Sequence, residues 1–170
     1  MDFENQEDLN GLKGWLLLVG LGVVLAPFRI AAVFFPTFIP LISEGTWRVL
    51  VTPGHAAYNP LWIPLLALEF TYNIGMMLAA VWLNALFFTK HRFFPRVYIA
   101  LAALPLLILP LDAWLVSLIL PENAVFDEQT VEELIRSLVA CAIWIPYMLK
   151  SKRVAATFIR GQSQAAANRE

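Results

Sequence analysis

Four long apolar stretches, separated by shorter polar segments, dominate this chain, at about 14–35, 61–88, 97–120 and 131–149. A bilayer core of roughly 30 Å needs about 20 apolar residues in a helix to cross it. Each stretch meets that length or comes close to it, and the second is long enough to tilt or to extend into water. The pattern therefore predicts an all-α membrane protein, a bundle of four transmembrane helices across residues 14–150.

The composition supports the same class. Hydrophobic residues make up 59% of the 170 residues, charged residues make up 15%, and the mean hydropathy is +0.67. A soluble domain has about 45–50% apolar residues and about a quarter charged, because it must cover its surface with polar groups. The composition therefore excludes a soluble globular domain.

Basic residues are distributed unevenly among the connections, and this asymmetry predicts the orientation. Segments 90–96 and 150–153 are rich in Lys and Arg, whereas the long outer loop 36–60 holds only Arg48 and segment 121–130 holds none. Lys and Arg concentrate in cytoplasmic loops. We therefore expect both termini in the cytoplasm: an acidic N-terminal segment over 1–13 and a basic tail over 151–170.

Two local features need separate interpretation: the first apolar stretch and the middle of the outer loop. The first apolar stretch has the length of a secretory signal, but an acidic leader precedes it, whereas a signal needs a basic one; we interpret it as a retained helix. Within the outer loop, residues 43–50 predict either a short interfacial helix capped by Ser43 or an ordered loop.

Ionisable side chains inside the spans are the most informative residues. Each span contributes one: Arg29, Glu69, Asp112 and Arg136. At about 1.5 Å per residue they lie roughly 21–28 Å from the cytoplasmic boundary, in the outer half of the bilayer. An isolated charge at a span centre costs about 2.5–3.5 kcal/mol, so pairing is favoured. We therefore predict a network of these two bases and two acids in the bundle interior.

The second span adds a polar stripe to this network. Its members follow helical spacing and fall on one face, which should point into the bundle: Glu69, Asn73, Met76, Ala80 and Asn84. Two interpretations of the intramembrane polar residues stay open. One is a structural network that fixes helix register, and the other is a site for a ligand, an ion or a lipid headgroup.

Other chemistry is weakly indicated. The single cysteine, Cys141, and the two histidines show no metal-ligand spacing, and no phosphate loop, dinucleotide fingerprint or nucleophile motif is present. We expect no cofactor, no metal and no nucleic acid. Pro105, Pro110 and Pro146 are either packing kinks or the breaks that transporters use. The basic run 150–153 is either a topology anchor or a site for anionic headgroups.

Several short motifs resemble a known family. They are the run Ala142-Ile-Trp-Ile-Pro-Tyr-Met-Leu-Lys-Ser-Lys-Arg-Val154 with Thr157-Phe158, Gly14-Trp15-Leu16, Thr52-Pro53-Gly54, Tyr58-Asn59-Pro60-Leu61-Trp62, Glu69 with Asn73, and Phe93-Phe94-Pro95. Over roughly residues 11–160 the chain resembles the domain-of-unknown-function 2569 family of small bacterial inner-membrane proteins. The resemblance implies a multi-pass protein of the bacterial inner membrane with four helices and no assigned activity.

Three hypotheses about function follow. The first is a non-enzymatic accessory or scaffold protein that contacts the bilayer and other membrane or envelope proteins, with a homo-oligomer left open. The second is a small transporter or ligand-binding protein with an outward-facing pocket lined by Arg29, Glu69, Asn73, Asp112 and Arg136. The third is an intramembrane lipid-modifying enzyme that uses Glu69 and Asp112. Nearby arginines, which would hold both carboxylates ionised, argue against the third.

Overall fold

The computed structural model describes residues 14–122 and 125–160, with the side chains of 159 and 160 excepted. Within those ranges the secondary structure is entirely helical. The helices are α1 (Trp15–Ser43), α2 (Thr46–Val51), α3 (Trp62–Phe88), α4 (Phe94–Ala103), α5 (Pro105–Ile119), α6 (Glu128–Lys150), α7 (Lys152–Val154) and a final π-helical turn (Ala155–Arg160). The predicted acidic segment 1–13 and the end of the basic tail lie outside the described residues.

Three helical stretches are long and apolar enough to cross a membrane: α1, α3 and the α4–α5 pair over Phe94–Ile119. The fourth predicted span qualifies only when α6 is joined to Lys152–Phe158, from which it is bent by 57°. Charges in its first half lower the hydropathy of α6 itself. The fold is therefore all-α with three or four candidate membrane helices.

The first helix continues further than expected. Residues 36–43 were predicted to belong to the outer loop, but α1 continues through Pro36 and Pro40 to Ser43. A proline removes the hydrogen bond to the carbonyl four residues earlier and leaves the rest of the ladder intact. At 29 residues α1 is about 43 Å long, so it extends beyond a hydrocarbon core of roughly 30 Å.

The open choice between a short helix and a loop is resolved in favour of a helix, although its predicted cap is wrong. α2 begins at Thr46 after Gly45, which has φ +71° and gives no side-chain cap. Ser43 instead ends α1. Glycine adopts this left-handed conformation without the steric penalty that a Cβ brings, so the chain turns there between two helices.

The third predicted span is divided by Pro105. Leu104 keeps helical backbone angles, φ −56° and ψ −41°, and its N–H donates to the Ala100 carbonyl. Pro105 has no N–H to continue the ladder, so α4 and α5 follow one another with only a local interruption. The Cys141 thiol on α6 donates to the Ala102 carbonyl at 3.1 Å, next to this interruption.

The helices pack in a definite order. α1 packs mainly on α3, α3 on α4 and α5, and α6 on α4 and α5. Within residues 14–122 and 125–160, α1 and α6 do not pack along one another. They therefore lie on either side of α3 and the α4–α5 pair.

The inner core lies at one end of the molecule, which we call the basic end because it carries the 90–96 and 150–153 segments. Its largest buried side chains come from the start of α1, the first turn of α4 and the residues that follow α6. The core cluster consists of Leu16, Val19, Val23, Leu83, Leu86, Phe87, Phe94, Met148, Val154 and Phe158. After the bend at Ser151 the chain therefore folds back against the bundle.

A second apolar contact holds α1 to α3 at the opposite end, which we call the far end. Phe34 and Phe38 stack with ring centroids 4.6 Å apart, and each ring lies 5.6 Å from that of Phe70 on α3. Both α1 rings are buried. The long first helix is thus attached to α3 near both ends.

Asn84 joins α1 to α3 at a proline. Pro27 lacks the N–H that would bond to the Val23 carbonyl, and the Asn84 side-chain amide donates to that carbonyl at 2.8 Å. The same amide donates to the Ala80 carbonyl on its own helix at 2.9 Å. This part of the predicted stripe therefore supplies a helix-to-helix hydrogen bond.

Replacing Asn84 with leucine should lower the free energy of unfolding in detergent or bicelles by about 1 kcal/mol, the size found for hydrogen bonds between membrane helices. Pro27→Ala restores an N–H four residues after Val23. In that background the Val23 carbonyl has a backbone donor again, so Asn84→Leu should lower the free energy of unfolding by clearly less. A double-mutant cycle would measure the difference. Equal losses in the two backgrounds would show that Asn84 does not act through the Val23 carbonyl.

Asp127 caps α6 in the described structure. Its carboxylate accepts the Thr130 backbone N–H at 2.8 Å, and hydrogen bonding from Thr130 lowers the pKa of Asp127 below its ordinary value. The folded pKa then lies below the unfolded one. The cap stabilises the helix above the unfolded pKa, and that contribution is lost as the pH falls through the folded pKa.

The Thr130 amide chemical shift should therefore titrate with an apparent pKa below about 3.9, the ordinary value for aspartate. Asp127→Asn keeps an acceptor oxygen without the charge, so the same shift should stop titrating in that variant. A wild-type midpoint at or above the ordinary value would exclude the cap.

Candidate functional site

Three polar side chains project from the far half of α3. Glu69, Tyr72 and Asn73 are half-buried, and the Asn73 side-chain amide donates to the Glu69 backbone carbonyl at 2.9 Å. That bond uses the amide nitrogen and leaves the Glu69 carboxylate unengaged by Asn73. These residues occupy the face of α3 that also carries the buried residues Leu65 and Ala80.

Other helices bring charges to this face. The Glu69 carboxylate lies within electrostatic range of Asp112 on α5. The Tyr72 hydroxyl lies within electrostatic range of both Arg29 on α1 and Glu133 on α6. We call these six residues the polar cluster: Arg29, Glu69, Tyr72, Asn73, Asp112 and Glu133. α1, α3, α5 and α6 each contribute to it.

Arg136 is engaged elsewhere. Its guanidinium donates to the Glu132 carboxylate at 2.5 Å, four residues earlier on α6. Both side chains are more than half exposed, at 57% and 67%. Between residues 14 and 122 and from 125 to 160, this is the ion pair that forms. The predicted network of Arg29 and Arg136 with Glu69 and Asp112 is therefore not seen as ion pairs.

The positions of the two arginines weaken the case against a lipid-modifying enzyme. Two arginines were expected to hold Glu69 and Asp112 ionised, which disfavoured a lipid-modifying enzyme. Arg136 binds its own helix, and Arg29 is exposed and lies near Tyr72. The charge balance of the polar cluster is therefore three carboxylates, from Glu69, Asp112 and Glu133, against one guanidinium.

A shallow, open groove of about 560 Å³ lies along the first turns of α6. Its lining residues are Glu128, Gln129, Glu132, Glu133 and Arg136. Glu133 belongs both to the groove and to the polar cluster. All of the groove's lining residues lie on α6.

The sequence reasoning missed Tyr72, Glu132 and Glu133. Glu132 was detectable, because a glutamate four residues before an arginine on one helix is a standard ion-pair spacing. Tyr72 and Glu133 carried no such signal, since their proximity depends on how α3 and α6 are rotated. Among the described residues, no group of three or more His, Cys, Asp or Glu side chains is arranged to hold a metal ion.

Comparison with known proteins identifies the family. The family described as protein of unknown function (DUF2569) matches residues 9–159. The chain belongs to this family. It is also similar to the inner membrane protein YdgK of Escherichia coli (strain K12), with 30% identity over 150 residues, which cover 87% of this chain and 93% of that protein. No solved structure matches the chain.

The DUF2569 match includes the polar cluster, the inner core and the returning C-terminal residues. It confirms the resemblance found in the sequence motifs, and the relative YdgK is by its name an inner membrane protein. The family description gives no biochemical role. A function must therefore be argued from the site itself.

Proposed function

We propose that the chain is a non-enzymatic ligand-binding protein of the inner membrane that takes a cationic group into the polar cluster from the periplasmic side. It would cross the bilayer four times, with the basic end and both termini in the cytoplasm. The observation that carries this proposal is the excess of carboxylates: Glu69, Asp112 and Glu133 against Arg29, with Arg136 engaged by Glu132.

The physical reason is the cost of unbalanced charge away from water. A carboxylate in a span is expensive unless it is paired, and the second arginine expected to pair with these acids is committed elsewhere. A ligand ammonium group would supply the missing charge. Glu133, which lines the open groove on α6, is the member of the polar cluster that such a ligand would meet at that surface.

Charge-selective labelling tests this proposal. In a Cys141→Ala background, Asn73→Cys places a thiol in the polar cluster. A trimethylammonium methanethiosulfonate should modify it at least about tenfold faster than the sulfonate analogue, after correction for their rates with a free thiol, because acidic clefts concentrate cations. Combining Glu69→Gln with Asp112→Asn should remove that preference.

Leu78→Cys is the matched control, because Leu78 lies on the same helix and is exposed on the apolar surface. Neither reagent should modify it at a comparable rate. A thiol at position 73 that reacts as slowly as one at position 78, or that shows no charge preference, would contradict the binding role.

An accessory or scaffold role is the second candidate, and the length of α1 favours it. α1 is longer than a bilayer core requires and leads into α2, where Trp47 is exposed with the Arg48 guanidinium 5.5 Å from its ring. Exposed aromatic and arginine side chains are enriched at protein interfaces. This surface could contact an envelope protein.

A photo-crosslinking residue at position 47 should then yield a discrete protein adduct in native membranes. The same residue at Leu107, which is exposed on the apolar surface of α5, serves as the control. Recovery of identical adducts from both positions, or of lipid alone from position 47, would argue against a scaffold surface at α2.

A further inference from the structure

Arg153 has a guanidinium nitrogen that the described chain does not satisfy. Its Nη1 is buried and makes no hydrogen bond within the described residues, although the side chain as a whole is half-buried. A guanidinium stays charged in proteins and carries five N–H donors in a fixed planar fork. A buried charged donor without an acceptor is destabilising. A hydrogen bond to an oxygen from outside the described residues would therefore stabilise the protein.

The position of Arg153 is fixed by its neighbours. The chain bends by 57° after α6, and the Ser151 hydroxyl accepts the Val154 N–H at 3.4 Å. Val154 and Phe158 are fully buried, and the Phe158 ring stacks on Phe94 at 4.6 Å. Arg153 thus lies between an anchored bend and an anchored core residue, so its backbone is held where α6 ends.

The charge around Arg153 is uniformly positive in the described chain. Segments 84–101 and 137–160 contain no Asp or Glu, and they carry Lys90, Arg92, Arg96, Lys150, Lys152, Arg153 and Arg160. Arg92 has its own partner, because its guanidinium lies 5.0 Å from the Phe93 ring. No carboxylate in these segments can neutralise Arg153.

We propose that Arg153, with Lys150 and Lys152 beside it, binds the phosphate of an anionic phospholipid in the inner leaflet. The inference uses the orientation proposed above and is independent of ligand binding in the polar cluster. Arginine forms bidentate hydrogen bonds with phosphate oxygens, which fits a fork with an unsatisfied nitrogen. Nη1 is enclosed in the present arrangement, so the guanidinium turns outward when it binds and gives the phosphate both hydrogen bonds of its fork.

A lipid fits this position better than free phosphate. Leu149, immediately before the basic run, is one of the most exposed apolar residues of the protein, so acyl chains reach the end of α6. Trp144 and Tyr147 pack edge to face at the same end, and such rings favour the headgroup level. Lipid phosphates are concentrated at this level, and cytoplasmic Lys and Arg attract anionic headgroups there.

The test measures the thermal midpoint of the full-length protein in nanodiscs of phosphatidylethanolamine alone and with phosphatidylglycerol or cardiolipin added. Anionic lipid should raise the wild-type midpoint. Arg153→Gln should lose at least half of that rise, and Arg153→Lys should lose less. Arg92→Gln makes the same charge change at the same end of the molecule, and it should retain the rise.

Three outcomes would overturn the proposal. Equal losses in the Arg92 and Arg153 variants would indicate a diffuse basic surface. Millimolar inorganic phosphate that replaces anionic lipid would indicate a free-phosphate site. The third outcome concerns the acidic leader, which contains Asp2, Glu4, Glu7 and Asp8. If Arg153→Gln no longer changes the thermal midpoint once these four residues are neutralised, the partner of Arg153 is the leader. Failure in any of these ways leaves the labelling result at position 73 unaffected.

Discussion

Replacing Phe158 with alanine should lower the free energy of unfolding by about 3–5 kcal/mol, the range for truncating a fully buried aromatic side chain. Phe158 is 0% exposed, stacks on Phe94 at 4.6 Å and lies 6.0 Å from the ring of Phe87. Its removal leaves a cavity between the returning C-terminal residues, the end of α3 and the start of α4. Equilibrium unfolding in mixed micelles would measure the loss.

Phe88→Ala is the matched control for Phe158. Phe88 is 61% exposed, and its ring contacts Phe87 edge to face at 5.5 Å. The same truncation should therefore cost well under half as much. Similar losses at the two positions would show that the C-terminal residues do not belong to the folded core.

Placing leucine at Gly20 should destabilise the protein by about 1–3 kcal/mol through overpacking. A Cβ at this position would lie 2.7 Å from Cζ and 2.8 Å from Cε1 of Phe87. Phe87 is itself buried among Phe94 and Phe158, so its ring has little room to move. α1 would have to shift away from α3.

Gly22→Leu tests whether the loss comes from that contact. Gly22 lies two residues further along α1, and a Cβ there meets nothing within 4 Å. Both variants remove a helix glycine and add the same side chain, so the difference in unfolding free energy isolates the Phe87 contact. A stability loss at Gly22 as large as that at Gly20 would contradict the observed packing of α1 on α3.

Hydrophobic length was sufficient to predict most of the helical elements. α3 begins at Trp62 and ends at Phe88, against an expected 61–88, because Pro60 and the basic segment after residue 89 bound a long and mainly apolar stretch. The end of α1 was not predictable in the same way. Pro36 and Pro40 suggest a loop by composition, yet a helix accepts them when the rest of its ladder forms.

The polar cluster was only partly predictable. The apolar stretches of the sequence include Glu69, Asn73 and Asp112. Charges and amides are rare inside spans, so these residues could be recognised as a candidate site. The spacing of Glu132 and Arg136 permits an ion pair on one helix, but the sequence does not decide between that pair and the predicted network, since both arrangements satisfy the guanidinium. The nearness of Tyr72 to Glu133 depends on the rotation of two helices about their axes, which one sequence leaves open.

The burial of the returning C-terminal residues was also not predictable from the sequence. Val154 and Phe158 are four residues apart and so share a helix face, but they follow a basic run that is typical of an exposed tail. Their burial depends on a space that Leu16, Phe87 and Phe94 enclose only after the helices pack. The sequence pattern around Val154 and Phe158 does not reveal a space that forms only through packing between helices.

The central claim is that α6 crosses the membrane despite the charges in its first turns. Single cysteines at His55, Thr89, Phe126 and Lys152, in a Cys141→Ala background, test it with a membrane-impermeant maleimide. Positions 55 and 126 should be labelled in intact cells, and positions 89 and 152 only after the inner membrane is permeabilised. Labelling of positions 126 and 152 from the same side would show that α6 does not cross, and would contradict the account.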